Sequence, residues 1–341
     1  MNLYIVESPF QLLCAIEARR YFKLENEKSF LLVKLTKNKK SNVQLKKIAN
    51  KFSFNKVIFL PQIIALTFSD MFMLFIFFYW KLFNKKFNYL FLGEIKNMVV
   101  RSAVNNLNHK NYFFLDDGIS TFAIQNELMN NVDINKLSND NIIIGKLIFF
   151  ISKLLLLKVK QDIKINWFSC FSLDKLSNQI IIKHQFNFLK SIKSSLICNK
   201  NIFHFIGSPI SEDGKLSLQD ELFHIKKVAN YCFHKGFSVE YCVHRRESEI
   251  KLNLISSINN IQLRLPTYPL EIDFLLKGIS IFEIGSFFST TLISLPLIYD
   301  IKYCMMFEIN DTFFQDNFKE TYLLTLANNR KIPYINILKE Y

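Results

Sequence analysis

Two adjacent acids end an apolar run in the first half of the chain. Residues 113–115 are Phe, Phe and Leu, and Asp116, Asp117 and Gly118 follow them directly. The run predicts a buried strand, and the acids with the glycine predict a tight turn after it. Acids at the carboxyl end of a parallel strand face the crevice in which ligands bind, so either carboxylate could act as a general base. A turn acid can instead cap the next helix, and these residues alone leave both interpretations open.

A histidine stands between a strand and two arginines in the second half. Residues 241–243 predict the end of a strand, and His244, Arg245 and Arg246 follow. A single histidine is more often a structural residue, but two guanidinium groups beside it favour an anion site. The arginine charges lower the pKa of this imidazole and a bound phosphate raises it, so the two effects compete.

Hydroxyl groups gather where a later strand gives way to a helix. Ser289 and Thr290 stand at that junction, where they can cap the helix or hold a phosphate at its N-terminal N–H groups. Glu271 lies between His244 and this junction in the sequence. Its carboxylate could accept hydrogen bonds from ribose hydroxyls, as acids do in nucleotide sites.

Predicted strands and helices alternate in both halves of the chain. Residues 3–6, 31–35 and 57–60 predict strands in the first half, and residues 202–206 and 238–243 predict strands in the second. This alternation indicates an α/β fold with parallel sheets.

The length and the composition bound the class of protein. A chain of 341 residues predicts two domains that share a cleft, with a boundary near residue 200. The net charge of +14 attracts anionic partners: nucleic acid, phosphorylated donors or an anionic membrane. The six cysteines form no CxxC pair, which argues against a zinc site and a disulfide framework and fits a reducing cytoplasm. Residues 1–6 lack the basic region of a signal peptide, and Glu7 interrupts any apolar one.

Two apolar segments are candidates for membrane contact. Residues 63–83 are long enough to span a bilayer, but Asp70 interrupts them and strands of one predicted sheet flank them. A helix on the membrane surface and a buried helix both fit this segment better than a full span. Residues 142–157 predict a second such helix, which could lie on the membrane or form a homodimer.

The ordered set of motifs resembles a known family of enzymes. Asp116-Asp117-Gly118, then His244 and then Ser289-Thr290 are similar to the acid-acid-glycine, His-Pro and Ser-Thr motifs of bacterial sialyltransferases. The chain most resembles glycosyltransferase family 52, which modifies lipooligosaccharide. Arg245 stands where that family has proline, and this departure is compatible with a different donor sugar.

This resemblance implies a GT-B fold, in which two Rossmann-like domains face a cleft. Residues 1–200 would form the acceptor side, and residues 201–341 would bind the CMP-sugar donor. The transfer would invert the anomeric centre and would need no metal and no cofactor. Asp116 or Asp117 would take the proton of the acceptor hydroxyl, and His244 would neutralise or protonate the leaving phosphate.

The resemblance also implies a set of donor-binding residues, and the sequence contains a rival for the base. The implied donor-binding residues are Gly118, Arg246, Glu271, Ser289 and Thr290. Residues 212–214 form a second acid-acid-glycine segment, so Asp213 is an alternative base. The first pair is preferred because it follows a stronger strand in the half expected to bind the acceptor.

Three other functions compete with a sialyltransferase that acts on lipooligosaccharide or capsular polysaccharide. The first is a glycosyltransferase that uses another nucleotide sugar. The second is a non-catalytic, membrane-associated protein, which would leave the motifs unexplained. A nucleic-acid-binding protein is disfavoured because the positive charge is dispersed and no binding motif is present. We therefore expect a cytoplasmic enzyme, peripheral on the inner membrane face, with a CMP-sugar and a glycan or glycolipid as partners.

Overall fold

The computed structural model describes most of the chain as two compact units. The described residues are 1–60, 84–133, 163–192, 201–309 and 332–335, with the single residues 82, 150, 153, 158, 197 and 198. The first unit is Met1–His184 and the second is Gln185–Tyr341. The boundary predicted near residue 200 falls within the second unit.

The first unit is built on a sheet of seven strands, all of them paired in parallel. These strands are β1 (Asn2–Val6), β2 (Ser29–Lys34), β3 (Lys56–Leu60), β4 (Lys86–Leu92), β5 (Asn108–Leu115), β6 (Trp167–Ser169) and β7 (Ile181–Lys183). The described helices of this unit are α1 (Pro9–Tyr21), α2 (Lys39–Lys51), α3 (Met98–Asn106) and α4 (Ile119–Met129). The order across the sheet is β3-β2-β1-β4-β5-β6-β7, so the order reverses between β1 and β4.

Strand β1 is the centre of the first core. All five of its residues are buried, as expected for a parallel strand covered on both faces. Leu3 and Ile5 pack into one hydrophobic cluster, while the ring of Tyr4 stacks on Phe91 of β4 with 5.0 Å between the ring centroids. Helix α1 follows at once because Ser8 caps it and Pro9 supplies a preset first turn.

The second unit has the same type of architecture, with a sheet of six parallel strands. These are β9 (Ile202–Ile206), β10 (Ser238–Cys242), β11 (Ile261–Arg264), β13 (Glu283–Ser286), β14 (Tyr303–Phe307) and β15 (Tyr334–Ile335), while β8 (Ile197–Cys198) and β12 (Ile279–Ser280) form a separate pair. The described helices are α5 (Asn187–Ser191), α6 (Leu218–His234), α7 (Glu249–Ser256), α8 (Leu270–Leu276) and α9 (Thr291–Ile298). The order is β11-β10-β9-β13-β14-β15, so it reverses between β9 and β13.

The second core leaves no room for a side chain in the middle of β13. A Cβ atom at Gly285 would lie 2.6 Å from the ring of Phe203 and 2.7 Å from the ring of Phe307. The glycine therefore lets the aromatic residues of β9 and β14 meet across β13. This close packing fixes β13 beside β9, where the sheet order reverses.

The predicted α/β alternation with parallel sheets is confirmed in both units. The strands predicted at residues 3–6, 31–35, 57–60, 202–206 and 238–243 correspond to β1, β2, β3, β9 and β10. The apolar segments 63–83 and 142–157 lie outside the described residues, apart from three single positions. No helix in the described part of the chain is both long and apolar enough to cross a bilayer.

Candidate active site

Asp116 is a fully buried residue that joins the end of β5 to the end of β6. Its Oδ1 accepts a hydrogen bond of 2.6 Å from the Ser169 hydroxyl, and its Oδ2 accepts one of 2.7 Å from the Cys170 N–H. The Nε2 atom of His184, also fully buried, lies 3.8 Å from Oδ2. The Sγ atom of Cys14 belongs to the same cluster, whose ligand-type atoms all lie within 4.8 Å of one another.

Burial changes the protonation of this cluster. It raises the pKa of Asp116 to about 7, against the lowering effect of the Ser169 and Cys170 hydrogen bonds. Burial also lowers the pKa of His184 to about 3, so this imidazole is neutral at pH 7. A buried, hydrogen-bonded acid beside a neutral histidine holds the turn in place and has no access to a substrate hydroxyl.

The raised pKa of Asp116 predicts a pH-dependent stability. The folded state keeps this proton up to about pH 7 and the unfolded state releases it near 3.8, so the stability from Asp116 is full below pH 3.8 and is lost as the pH rises to 7. We expect Asp116→Asn to gain on the wild type by up to about 1.4 kcal/mol per pH unit between pH 5 and 7. Urea unfolding at several pH values measures this, and parallel curves for the two proteins would contradict it.

Asp117 differs from its neighbour because it is partly exposed. Its Oδ1 accepts a hydrogen bond of 3.3 Å from the hydroxyl of Ser8, at the end of β1, and its N–H donates to Thr121 Oγ1 at 2.8 Å. Gly118 then has φ +58° and ψ −130°, a conformation open to glycine and costly for other residues. The turn therefore directs the two acids differently, one into the core and one toward the surface, and Gly118 acts here by making that turn.

Two further acids, which the sequence analysis did not select, lie at the same end of the first sheet. Glu94 follows β4 and is hydrogen-bonded to Glu7, which follows β1. Burial, then the charge of Asp117 and then Glu7 raise the pKa of Glu94 to about 8. Lys34, at the end of β2, balances Glu7 with an ion pair of 2.6 Å. Each acid comes directly after an apolar strand or one residue later, which is the signal that identified Asp116.

In the second unit, His244 lies just after β10, and a backbone N–H of the same loop holds its ring. The Arg246 N–H donates to His244 Nδ1 at 3.2 Å, so this nitrogen carries no proton and the neutral ring holds its proton on Nε2. Burial, with the charges of Arg245, Arg246 and Lys251, lowers the pKa of His244 to about 3. His244 is therefore a neutral donor at pH 7.

A buried lysine fixes the loop that carries His244. The Nζ atom of Lys251 is fully buried and lies 2.9 Å from Glu247 Oε1, 2.5 Å from Glu221 Oε1 and 3.4 Å from Glu212 Oε2. Glu247 Oε2 in turn accepts a hydrogen bond of 2.6 Å from the His244 N–H. Burial works against the charge of Lys251, but Glu247 and Glu221 raise its pKa.

The alternative base, Asp213, is committed to an ion pair. Its two oxygens accept hydrogen bonds of 2.7 and 3.1 Å from the guanidinium group of Arg246. Both residues are exposed, and Glu212 beside them accepts a hydrogen bond of 2.8 Å from the Ser248 N–H. These contacts join the second acid-acid-glycine segment to the His244 loop. An anion that binds Arg246 would have to compete with Asp213 for the guanidinium group.

Ser289 and Thr290 precede α9, near the place where the second sheet reverses its order. Ser289 Oγ accepts a hydrogen bond of 3.2 Å from the Thr291 N–H, whereas Thr290 makes no side-chain cap. The capping interpretation therefore applies to Ser289 only. Across the reversal, the Ser208 hydroxyl after β9 donates to the Phe288 carbonyl at 2.7 Å, so this hydrogen bond joins the segments that follow β9 and β13.

Glu271 lies in the first turn of α8 and faces α9. Its Oε1 accepts a hydrogen bond of 2.7 Å from the Ser294 hydroxyl. Burial raises its pKa, while the Ser294 hydrogen bond and the charge of Arg245 oppose that shift. The structure thus brings Glu271 into the electrostatic range of the His244 loop, with one of its oxygens occupied inside the protein.

Comparisons with known proteins found several similar solved structures. A structure of a 2,6-sialyltransferase from Photobacterium sp. JT-ISH-224, in complex with the donor product CMP and the acceptor substrate lactose, matches with a TM-score of 0.50 and 11% identity, over 98% of this chain and 78% of that chain. At this identity the likeness supports the fold. The GT-B domain of a sialyltransferase from Photobacterium damselae has a TM-score of 0.47 and 12% identity, over 98% of this chain and 99% of that chain. The UDP-GlcNAc 2-epimerase of Methanocaldococcus jannaschii has a TM-score of 0.49 and 10% identity, over 99% of this chain and 89% of that chain.

The family is shown by a match that runs through both units. No curated protein sequence matches the chain. The model of the alpha-2,8-polysialyltransferase family, however, matches residues 2–308 and so includes the strand ends that carry Asp117 and His244. The two Rossmann-like units are those of a GT-B glycosyltransferase. The chain belongs to the alpha-2,8-polysialyltransferase family and is a sialyl-transferring glycosyltransferase.

Proposed function

We propose that the enzyme transfers sialic acid, or a related nonulosonic acid, from a CMP-sugar to a hydroxyl group of a bacterial glycan. The acceptor is a lipooligosaccharide, as in glycosyltransferase family 52, or a capsular polysaccharide. The transfer inverts the anomeric centre and needs no metal, because protein side chains supply both proton handling and charge stabilisation. The second unit binds the donor and the first unit binds the acceptor.

This proposal rests on the positions of three side chains relative to the sheets. Asp117, His244 and Thr290 each follow a strand at its carboxyl end, and in an open parallel sheet ligands bind outside those ends. Of the two acids in the first motif, only Asp117 is partly exposed. We therefore assign the base to Asp117 and a positioning role to Asp116.

The proposed reaction is a single displacement at the anomeric carbon. The acceptor oxygen forms a bond to this carbon as the bond to the CMP phosphate breaks, and the phosphate keeps the electron pair. Asp117 takes the proton of the acceptor hydroxyl. The Nε2–H of His244, the hydroxyl of Thr290 and the N-terminal end of α9 stabilise the negative charge that grows on the phosphate.

Because His244 is neutral at pH 7, a side chain with another neutral N–H donor should partly replace it. We expect His244→Ala to lower kcat by about 10²–10³-fold, the effect of losing one preorganised donor. His244→Gln should recover part of this loss, because an amide also offers a neutral N–H. Steady-state kinetics with the CMP-sugar compare the two variants. If both variants lost kcat equally, and if the wild-type pH profile required a protonated group with a pKa near 6.5, His244 would instead transfer a proton.

Nucleotide binding tests the donor assignment. A ligand that binds the folded state stabilises it by about 2.7 kcal/mol at a concentration one hundred times its Kd. We expect CMP to raise the melting temperature more than UDP, GDP or ADP at equal concentration. Stabilisation by UDP alone would favour a glycosyltransferase with another donor, which is the second candidate because Arg245 replaces the proline of the motif.

The location and the assembly of the enzyme are proposed on the sequence. Peripheral contact with the inner face of the cytoplasmic membrane would involve residues 63–83, and a homodimer would involve residues 142–157. The net charge of +14 supports attraction to an anionic lipid surface. Flotation with anionic liposomes and light scattering test these two proposals.

A further inference from the structure

The connection between β9 and α6, residues 207–217, begins where the second sheet reverses its strand order. Open α/β sheets bind ligands in the crevice outside the strand ends at such a reversal. The Ser208 hydroxyl donates to the Phe288 carbonyl at 2.7 Å, and Glu212 Oε1 accepts a hydrogen bond of 2.8 Å from the Ser248 N–H. The connection is therefore tied on one side to the segment that precedes α9 and on the other to the start of α7.

Lys215 has a fixed position within this connection. Its N–H donates to the carbonyl of Ile210 at 3.1 Å, and Ile210 itself is buried in the core of the second unit. Leu216, the next residue, packs against the same core, and so does Phe288. The Nζ atom of Lys215 lies over the ring of Phe288, 5.2 Å from its centroid. The ammonium group is thus placed over the residue that directly precedes the Ser-Thr motif.

The charges around Lys215 favour an anion beside it. Partial burial lowers the pKa of Lys215; the charge of Asp213 opposes this shift, and the charge of Arg246 adds to it. Asp213 is itself bound to Arg246 through both of its oxygens, at 2.7 and 3.1 Å. A further oxyanion near Nζ would offset the effects of burial and of the guanidinium charge. Because an ammonium group has three N–H donors, it can contact protein groups and still bind such an anion.

We propose that Lys215 is a further donor-binding residue, whose ammonium group holds an oxyanion of the CMP-sugar. This inference rests on the proposed function and adds a residue to the donor site. CMP-sialic acid carries one negative charge on its phosphate and another on the carboxylate of the sugar. The side-chain groups proposed above for the phosphate, the Nε2–H of His244 and the hydroxyl of Thr290, are neutral. Lys215 supplies a full positive charge next to the Ser-Thr motif, and it pairs with the phosphate or with the carboxylate.

Replacing Lys215 with methionine tests the inference. Methionine keeps an apolar stem over Phe288 and removes the charge. We expect the Kd of CMP-sialic acid, measured without an acceptor, to rise by about 10–100-fold, the effect of losing one hydrogen bond to a charged group. The Kd of cytidine, which has no anionic group, should stay unchanged, and Lys215→Arg should recover part of the affinity for CMP-sialic acid. Unchanged binding of CMP-sialic acid to Lys215→Met would overturn the inference, and so would an equal loss for cytidine.

CMP distinguishes the two oxyanions. If Lys215 holds the phosphate, Lys215→Met should lose affinity for CMP and for CMP-sialic acid by the same factor. If it holds the carboxylate, the loss should be confined to CMP-sialic acid. Lys226→Met, at an exposed position on α6, is the control and should bind all of these ligands like the wild type.

Failure of this inference is distinguishable from failure of the proposed function. If the wild type binds CMP and CMP-sialic acid and Lys215→Met binds both equally well, the inference is wrong and the donor assignment stands. If the wild type binds UDP and not CMP, the proposed donor is wrong. A weaker affinity of Lys215→Met for UDP would then still support Lys215 as a ligand of the phosphate, and an equal affinity would overturn that role as well.

Discussion

Replacing Asp117 with asparagine is expected to lower kcat by about 10²–10⁴-fold, which is the usual contribution of a general base. The substitution keeps the size of the side chain and an oxygen that can accept the Ser8 hydrogen bond. It removes the charge that accepts the proton of the acceptor hydroxyl. Because CMP binds to the other unit in this account, the stabilisation by CMP should be unchanged. Initial rates with a CMP-sugar and thermal melting with CMP measure both quantities.

Two neighbouring acids provide the controls for this prediction. Asp116→Asn should alter stability and its pH dependence, because Asp116 is fully buried and bonded to Ser169 and Cys170. Asp213→Asn should lower activity less than Asp117→Asn, because Asp213 is paired with Arg246. Full turnover in Asp117→Asn together with a large loss in Asp213→Asn would move the base to the second acid-acid-glycine segment.

Replacing Lys251 with methionine is expected to destabilise the second unit by about 3–5 kcal/mol, the cost of removing one partner from a buried ion pair. Methionine fills the space of the lysine stem but leaves Glu221 and Glu247 buried without their cation. For a unit of this size, the loss corresponds to a fall of about 6–20 °C in melting temperature. The KM for the donor should also rise, because Glu247 orients His244 through its backbone N–H.

A second lysine serves as the matched control. Lys226 on α6 is exposed, so Lys226→Met should change the stability by no more than about 0.5 kcal/mol. Lys251→Arg keeps the charge and should recover part of the lost stability. If Lys251→Met melted with the wild type, the three carboxyl groups around Lys251 would have to be protonated, and the network would not hold the His244 loop.

The sequence predicted β1, β2, β3, β9 and β10 and the end of β5, because each of them contains a short apolar stretch that polar or turn residues follow. It did not select β4, the strand that pairs with β1. It also placed acids after β5 and a histidine after β10. It could not tell Asp116 from Asp117, since which side chain enters the core depends on Ser169 and Cys170, more than fifty residues away. Only the assembled sheet shows that one acid is buried and the other is partly exposed.

Strand order explains the residues that sequence analysis missed. Glu7 and Glu94 are far apart in the chain, and they meet because β4 pairs with β1 and not with β3. The apolar segment between β3 and β4 carries no signal of this crossover. Lys251 and Glu247 are only four residues apart in the sequence, whereas the contact between Lys251 and Glu221 depends on the packing of α6 against α7.

The position of the boundary between the two units also depends on contacts that form only in the folded chain. The sequence analysis placed the boundary near residue 200, and the first compact unit ends at His184. His184 packs on Phe168 and Asp116 in the first unit, with 4.3 Å between the His184 and Phe168 ring centroids. Helix α5 contacts α9 in the second unit. The chain therefore leaves one core and enters the next within a few residues.

The proposed transfer of sialic acid from a CMP-sugar can be tested on the purified enzyme. The most direct test incubates the purified protein with CMP-sialic acid and a glycan acceptor and analyses the products by mass spectrometry and NMR. We expect a glycan that has gained one sialic acid in the inverted anomeric configuration, with one CMP released for each transfer, and almost no product from Asp117→Asn. A glycan modified from a UDP-sugar but not from CMP-sialic acid would contradict it.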